Sequence, residues 1–243
     1  MKLIVIVPAR IGSERMPNKP LLKFNGKTMI RHTIDRIMES GLHPVALASD
    51  SSLILDACSQ ITGLHPVMTS SSHKCGTERV LEAYEILSSR LGEFDFIVNV
   101  QGDEPFISPD MLRQLPEELE KRKGLAEFWT TVTELPESEM ADRNVAKVVL
   151  DMKDNALIFT RDPIGCALKH TSVYIYTPAF LKKFCTMEPS RLEKAYSLEQ
   201  MRALENGLTL NCIPLPFDAI SVNTYEDLEK AGIQAYEVYT EKA

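Results

Sequence analysis

The sequence predicts an α/β fold, an open and mostly parallel sheet with a small β-rich lobe embedded in its second half. Three observations carry this. Short apolar runs alternate with stretches of helical spacing from residue 3 to residue 121. The first run, Leu3-Ile4-Val5-Ile6-Val7, is apolar without interruption, the pattern of a strand covered on both faces. Past residue 126 the alternation gives way to several short strand-like segments in succession.

In chain order, the strand at 3–7 runs into a loop rich in Pro, Gly and Arg at 8–20. Residues 28–40 place Met29, Ile30, Thr33, Ile34 and Ile37 on one helical face, with Gly41 just past the end. A second strand, 44–50, ends in Asp50, and 53–59 reads as a short helix. A brief third strand at 66–68 precedes a helix from Gly76 to about Ser88. The fourth strand, 94–100, ends in Gln101-Gly102-Asp103-Glu104-Pro105, and 109–121 is helical. This βαβα order implies right-handed crossovers. In the second half, 128–133, 145–150, 158–160 and 172–176 read as strands, 179–186 and 197–206 as helices, 208–214 as a strand and 225–239 as a terminal helix. With no linker, repeat or charge block, residues 1–243 read as a single domain with the lobe at about 126–176.

A chain of 243 residues can bury its core without disulfide staples. The formal net charge of −7 disfavours non-specific nucleic-acid binding, which needs a basic face, so positive charge for an anionic ligand must be gathered locally. The five cysteines are scattered with no zinc-ligand spacing, which favours reduced thiols and a cytoplasmic protein. The apolar run after Met1-Lys2 is too short for a secretory signal, and no segment is long enough to insert in a membrane.

The segment Pro8-Ala9-Arg10-Ile11-Gly12-Ser13-Glu14-Arg15-Met16-Pro17-Asn18-Lys19-Pro20-Leu21 follows the first strand directly. In doubly wound sheets, ligands bind beyond the carboxyl ends of the strands. Arg10, Arg15 and Lys19 face only Glu14 in opposition, so this loop is cationic in an acidic protein. An Arg fork and a mobile Lys charge both suit a triphosphate. The loop is neither a Walker A nor a GxGxxG sequence. Asp103, after the fourth strand, lies at the same sheet edge and is the expected ligand of Mg²⁺, which takes one or two protein oxygens plus phosphate and water.

The pattern PAR-x-x-S-x-R-x-P-x-K-P-L resembles the signature of sugar-activating cytidylyltransferases. The whole set of motifs is most similar to the 3-deoxy-manno-octulosonate (Kdo) cytidylyltransferases, the CMP-Kdo synthetases. Residues 25–30 resemble that family's NGKPMI, 73–79 its H-x-SGTER, 98–105 match its VNVQGDEP, and 144–149 resemble its NAVKVV. The resemblance implies a Rossmann-like sheet of the nucleotide-diphospho-sugar transferase type. It implies CTP and an acidic ulosonate as substrates, Mg²⁺ as cofactor, a place in lipopolysaccharide biosynthesis, and a homodimer whose lobe at 126–176 serves dimerisation and sugar binding. In the implied reaction the anomeric hydroxyl of the ulosonate attacks the α-phosphorus of CTP, giving the CMP-sugar and pyrophosphate. Arg10, Lys19 and Asp103 are then the implied catalytic residues. Pro8, Ala9, Arg10, Ser13, Arg15, Lys19, Ser71, Thr77, Arg79 and Gln101 are implied to bind nucleotide. Gln101, Arg161, His170, Tyr174, Glu199 and Gln200 are implied to bind sugar, and Asp103 with Asn223 to bind metal.

Three departures stand out. Eight residues separate Arg161 from His170, where the family carries a longer insertion. Asn223 and Ser172 stand where the family has Asp and Gly. The departures suggest a branch acting on a modified sugar such as 8-amino-8-deoxy-Kdo. The alternatives are a CMP-sialic-acid-type synthetase or a catalytically inactive nucleotide-sugar-binding module.

Overall fold

The computed structural model describes residues 1–12, 16–218 and 220–239. Ser13 and Arg15, expected at the nucleotide, lie outside the described residues. The chain separates into two compact units, residues 1–114 with 219–243, and residues 115–218.

The first unit begins with β1 (Leu3–Ala9), all seven residues buried. A hairpin of β2 (Lys23–Phe24) and β3 (Lys27–Thr28) follows, turning through Asn25 and Gly26 at φ 48° and 75°. The Asn-Gly pair is a strong hairpin signal, yet it was read only as part of a motif and not as this turn. Helix α1 (Met29–Glu39) buries the expected Met29, Ile30, Thr33, Ile34 and Ile37, and the Thr28 hydroxyl caps it by accepting from the Arg31 N–H. Next come β4 (Val45–Ser49), α2 (Ser52–Asp56), β5 (Leu64–Met68), α3 (Gly76–Leu91), β6 (Phe96–Val100) and α4 (Pro109–Lys121). The strands lie in the order β6-β1-β4-β5, and every pairing is parallel. The α/β class with a parallel sheet is therefore as the alternation predicts. All of β1, β4 and β6 is buried, which explains why they are apolar but for Ser49 at the end of β4 and Asn99 in β6.

The second unit contains β7 (Phe128–Glu134), β8 (Lys147–Leu150), β9 (Ala156–Thr160), β10 (Leu168–Tyr176), α5 (Pro178–Cys185), α6 (Arg191–Tyr196), α7 (Met201–Glu205) and β11 (Asn211–Pro214). Strand β7 pairs with β11 in parallel and with β10 in antiparallel fashion; β8 adds to β10, and β9 to β8, both antiparallel. Strand β10 is longer than the expected 172–176. Its register breaks between His170 and Tyr174, and Ser172 sits in the break with φ 57°. That left-handed backbone is the reason glycine suits this position.

Of the expected helix at 197–206 only α7 is helical, and a separate helix, α6, precedes it. Ser190 and Glu193 form a capping box that starts α6 early, and Ser197 at φ 52° ends it. Glu199 and Gln200 lie in the connection before α7. The chain then returns to the first unit as α8 (Tyr225–Lys230). The expected terminal helix to Tyr239 stops nine residues early, because Gly232 turns through φ 77°. Beyond it, Lys23 and Glu237 exchange backbone hydrogen bonds of 2.9 and 2.8 Å. Met16, Leu22, Phe24, Met29, Val222, Leu228 and Ile233 pack as one buried cluster, so the segment at 222–233 buttresses the loop that follows β1.

Candidate active site

A cavity of about 420 Å³ opens at the carboxyl ends of the parallel strands of the first unit. Strand β1 delivers Pro8, Ala9 and Arg10 to it; β6 delivers Gln101, Gly102 and Asp103. The start of α3 contributes Gly76 and Arg79, and the segment before α8 contributes Asn223. Gly102 is required by close approach: a Cβ there would lie 2.9 Å from the Pro8 carbonyl oxygen. The Thr33 hydroxyl lies 3.1 Å from the Gly102 carbonyl oxygen and 3.2 Å from that of Met29, tying the turn to α1.

The Lys19 ammonium donates to Asp103 Oδ2 at 2.6 Å and to the Val222 carbonyl at 3.0 Å. The Val222 N–H in turn donates to the Asp103 carbonyl at 3.0 Å. Arg10 is exposed at the rim. Gln101 Nε2 donates to Asn99 Oδ1 at 3.0 Å, and Asn99 is wholly buried, so the Gln101 amide is oriented from beneath. Arg79 is 3% exposed and held on several sides, donating to Asp50 at 2.9 Å, to the Thr69 hydroxyl at 2.5 Å and to the Ser70 carbonyl at 3.2 Å. The Asn223 and Thr224 N–H groups donate to the buried Asp227 carboxylate at 2.8 and 2.9 Å, fixing the turn that carries Asn223.

Of the residues expected at the nucleotide, Pro8, Ala9, Arg10, Lys19, Arg79 and Gln101 share this cavity, and Asp103 and Asn223 share it with them. Ser71, exposed in a turn, and Thr77, buried in the first turn of α3, are not part of its lining. His73, in the stretch that the resemblance places near the base, lines the cavity, as do Cys75 and Met29, to which sequence reasoning gives no role in the site. His73 is hydrogen-bonded to Glu82 and lies 3.8 Å from Glu78. Burial pushes the Glu82 carboxyl up, but the His73 and Ser70 hydrogen bonds outweigh it and hold it below the usual range. The signal was the spacing of Glu78 and Glu82, one helical turn apart and so on one face of α3.

The side-chain carboxylate and amide oxygens at this edge come from Asp103, Asn223 and Gln101. Among the described residues no group of three or more His, Cys, Asp or Glu side chains is gathered to hold a metal. Such a set does not form a cage, but it fits a hard divalent cation that takes its remaining ligands from phosphate and water.

Of the residues expected at the sugar, Gln101 lines the cavity of the first unit, and Arg161, His170, Tyr174, Glu199 and Gln200 lie in the second unit. His170 is buried on β10, and its Nε2 lies 2.8 Å from the Thr130 hydroxyl. That hydroxyl donates its single proton to the Val173 carbonyl at 2.8 Å, so Nε2 must carry the imidazole proton. Burial, helped by the Arg161 charge, lowers the His170 pKa to about 3 and keeps the ring neutral. The His170 and Tyr174 rings are 5.1 Å apart, and the Tyr174 hydroxyl donates to Gln200 Oε1 at 3.2 Å. Gln200 Nε2 is buried without a hydrogen-bond partner. Glu199 lies 3.6 Å from Arg202. Arg161 donates to the Tyr196, Arg143 and Asn144 carbonyls at 2.9, 3.1 and 2.9 Å. The structure thus groups His170, Tyr174 and Gln200 and ties Arg161 to the 143–144 loop.

The family described as Cytidylyltransferase matches residues 4–210. The chain is 36% identical over 252 residues to the 3-deoxy-manno-octulosonate cytidylyltransferase 2 of Actinobacillus pleuropneumoniae serotype 5b, covering 96% of this chain and 98% of that one. It is 37% identical over 238 residues to the 8-amino-3,8-dideoxy-manno-octulosonate cytidylyltransferase of Shewanella pealeana, covering 94% and 96%. A solved structure of a CMP:2-keto-3-deoxy-manno-octonic acid synthetase complexed with CTP superposes with a TM-score of 0.83 at 31% identity, covering 95% of this chain and 97% of that one.

Proposed function

The chain belongs to the cytidylyltransferase family, and we propose that it joins CTP to a 3-deoxy-ulosonic acid, Kdo or its 8-amino-8-deoxy analogue, releasing pyrophosphate. The observation that carries this reading is the convergence of Arg10, Lys19, Gln101 and Asp103 on one cavity at the carboxyl edge of parallel strands. The relatives' names supply the base and the sugar class.

In this reading Arg10 and Lys19 bind the triphosphate and neutralise charge that builds on the leaving pyrophosphate. Gln101, oriented by Asn99, lies beside the α-phosphorus and aligns the incoming hydroxyl. Arg79, held rigid by Asp50 and Thr69, fixes the base. Asp103, with Asn223, would hold a Mg²⁺ ion. Such an ion polarises phosphate oxygens and lowers the pKa of an attacking hydroxyl. His170, Tyr174, Glu199, Gln200 and Arg161 serve the ulosonate, and the short 161–170 segment selects among sugars. The lobe at 126–176 serves sugar binding and homodimerisation. The product enters lipopolysaccharide assembly in the cytoplasm, in keeping with five cysteines of which none is in a disulfide. No helix among the described residues is long and apolar enough to cross a membrane.

The test is pyrophosphate release from CTP and Mg²⁺ with a panel of Kdo, 8-amino-8-deoxy-Kdo and sialic acid. Turnover with one or both octulosonates at a kcat/KM at least about 100-fold above sialic acid is expected. Absence of pyrophosphate with both octulosonates overturns the reading.

A further inference from the structure

The sequence assigns Lys19 to phosphate and Asp103 to metal, but the structure joins them to each other. Their contact is 2.6 Å, and the side chains are only 12% and 28% exposed. A pair this sheltered is weakly screened. We propose that Lys19 guards Asp103 against cations that arrive alone, so that a divalent cation is admitted only together with a triphosphate. This rests on the nucleotide reading of the cavity and adds an order of binding to it.

The argument is one of charge. Asp103 and Lys19 cancel, and the other amide-bearing side chains at this edge, Asn223 and Gln101, are neutral. Among the described residues no group of three or more His, Cys, Asp or Glu side chains is gathered to hold a metal, and the nearby Asp227 carboxylate is engaged by the Asn223 and Thr224 N–H groups. A hard dication sheds its water reluctantly and most readily for anionic oxygen, so a bare cation competes with the ammonium for the carboxylate and gains no surplus negative charge by displacing it. A triphosphate changes the balance for both partners at once. It offers anionic oxygens to the ammonium, which releases the carboxylate, and it brings the cation already partly ligated. The side chain of Lys19 suits this exchange because it is a point charge on a flexible stem. The Val222 carbonyl, 3.0 Å from the ammonium, keeps it within reach. On this account the amide at 223 is part of the device. A carboxylate there would leave one negative charge that a single lysine cannot cover.

The test is Mn²⁺ binding without nucleotide, read by electron paramagnetic resonance on the intact chain, its Lys19→Met variant and its Asn223→Asp variant. The intact chain is expected to leave Mn²⁺ free into the millimolar range. Each variant is expected to bind it at least about tenfold more tightly, and adding Asp103→Asn to either is expected to abolish the gain. Should Lys19→Met fail to fold, Asn223→Asp, which keeps the lysine, decides alone. Equal Mn²⁺ affinity in the intact chain and the folded variants overturns the guard. Because this arm contains no CTP, a parallel titration with CTP separates the two claims. Variants that gain Mn²⁺ while CTP fails to bind the intact chain uphold the guard and reject the nucleotide reading.

Discussion

The two units use buried charge in opposite ways. In the first, two cations at the cavity keep contacts that a ligand can replace, Arg10 being exposed and Lys19 meeting one carboxylate and one carbonyl, while Arg79 beside them is held on several sides. In the second, the cations are struts. Lys147 is wholly buried and donates to the Asp142, Val145 and Arg161 carbonyls at 2.7, 3.1 and 3.3 Å. Arg161 grips the Arg143 and Asn144 carbonyls in the same loop, so the two side chains interlock. Lys169 lies between Glu139 and Asp218, 2.7 Å from each. Burial pushes the Lys147 pKa down with no carboxylate bonded to it, whereas the two carboxylates on Lys169 outweigh burial and raise its pKa. A charge that must meet a ligand is kept exchangeable; a charge that must hold a loop is spent on backbone.

If that contrast is right, substitutions in the two regions fail differently. Asp103→Asn is expected to cut kcat by about 10³-fold, roughly 4 kcal/mol, with thermal unfolding near that of the intact chain. Steady-state kinetics beside a melting curve checks both halves. Lys147→Met leaves three inward carbonyls without a donor and is expected to lower stability by about 3 kcal/mol. Denaturant unfolding measures it, and a loss of activity without loss of stability would move Lys147 from the struts to the ligand site.

How much of this was legible in the sequence follows the same divide. Strands β1, β4 and β6 are legible because burial on both faces leaves them almost wholly apolar. Their carboxyl ends then located Arg10 and Asp103 by topology alone. The second unit is harder to read because its strands are mostly antiparallel and one is bent at Ser172, where a single left-handed residue breaks the two-residue period. The capping box at Ser190 and Glu193 and the stop at Gly232 were present as local signals, but the longer apolar spacing was followed instead. The Lys19–Asp103 pair was not legible, since both residues were assigned to absent partners and 84 positions separate them.

Two smaller effects probe the second unit further. His170 has a folded pKa of about 3, against about 6.5 when unfolded. The unfolded chain therefore binds the extra proton, and stability is full above about pH 6.5 and falls as the pH drops toward 3. A loss of about 2 kcal/mol by about pH 5 is expected from this one ring. His170→Gln is expected to flatten that part of the pH–stability curve, and an unchanged slope assigns it to other groups. Ser172→Gly relieves a left-handed serine and is expected to add about 1 kcal/mol, read as a rise in the denaturant midpoint.

The central claim is that the cavity at the end of β1 and β6 receives the nucleotide, and Cys75 offers a direct report on it. Its thiol is part of the cavity lining and half-buried, while Cys166 is exposed in the second unit and serves as a reference in the same sample. Iodoacetamide labelling of each peptide is followed by mass spectrometry with and without saturating CTP. The account predicts that CTP slows labelling of Cys75 at least about tenfold, with Cys166 unchanged. Equal labelling of Cys75 with and without CTP, at concentrations that support turnover, would contradict it.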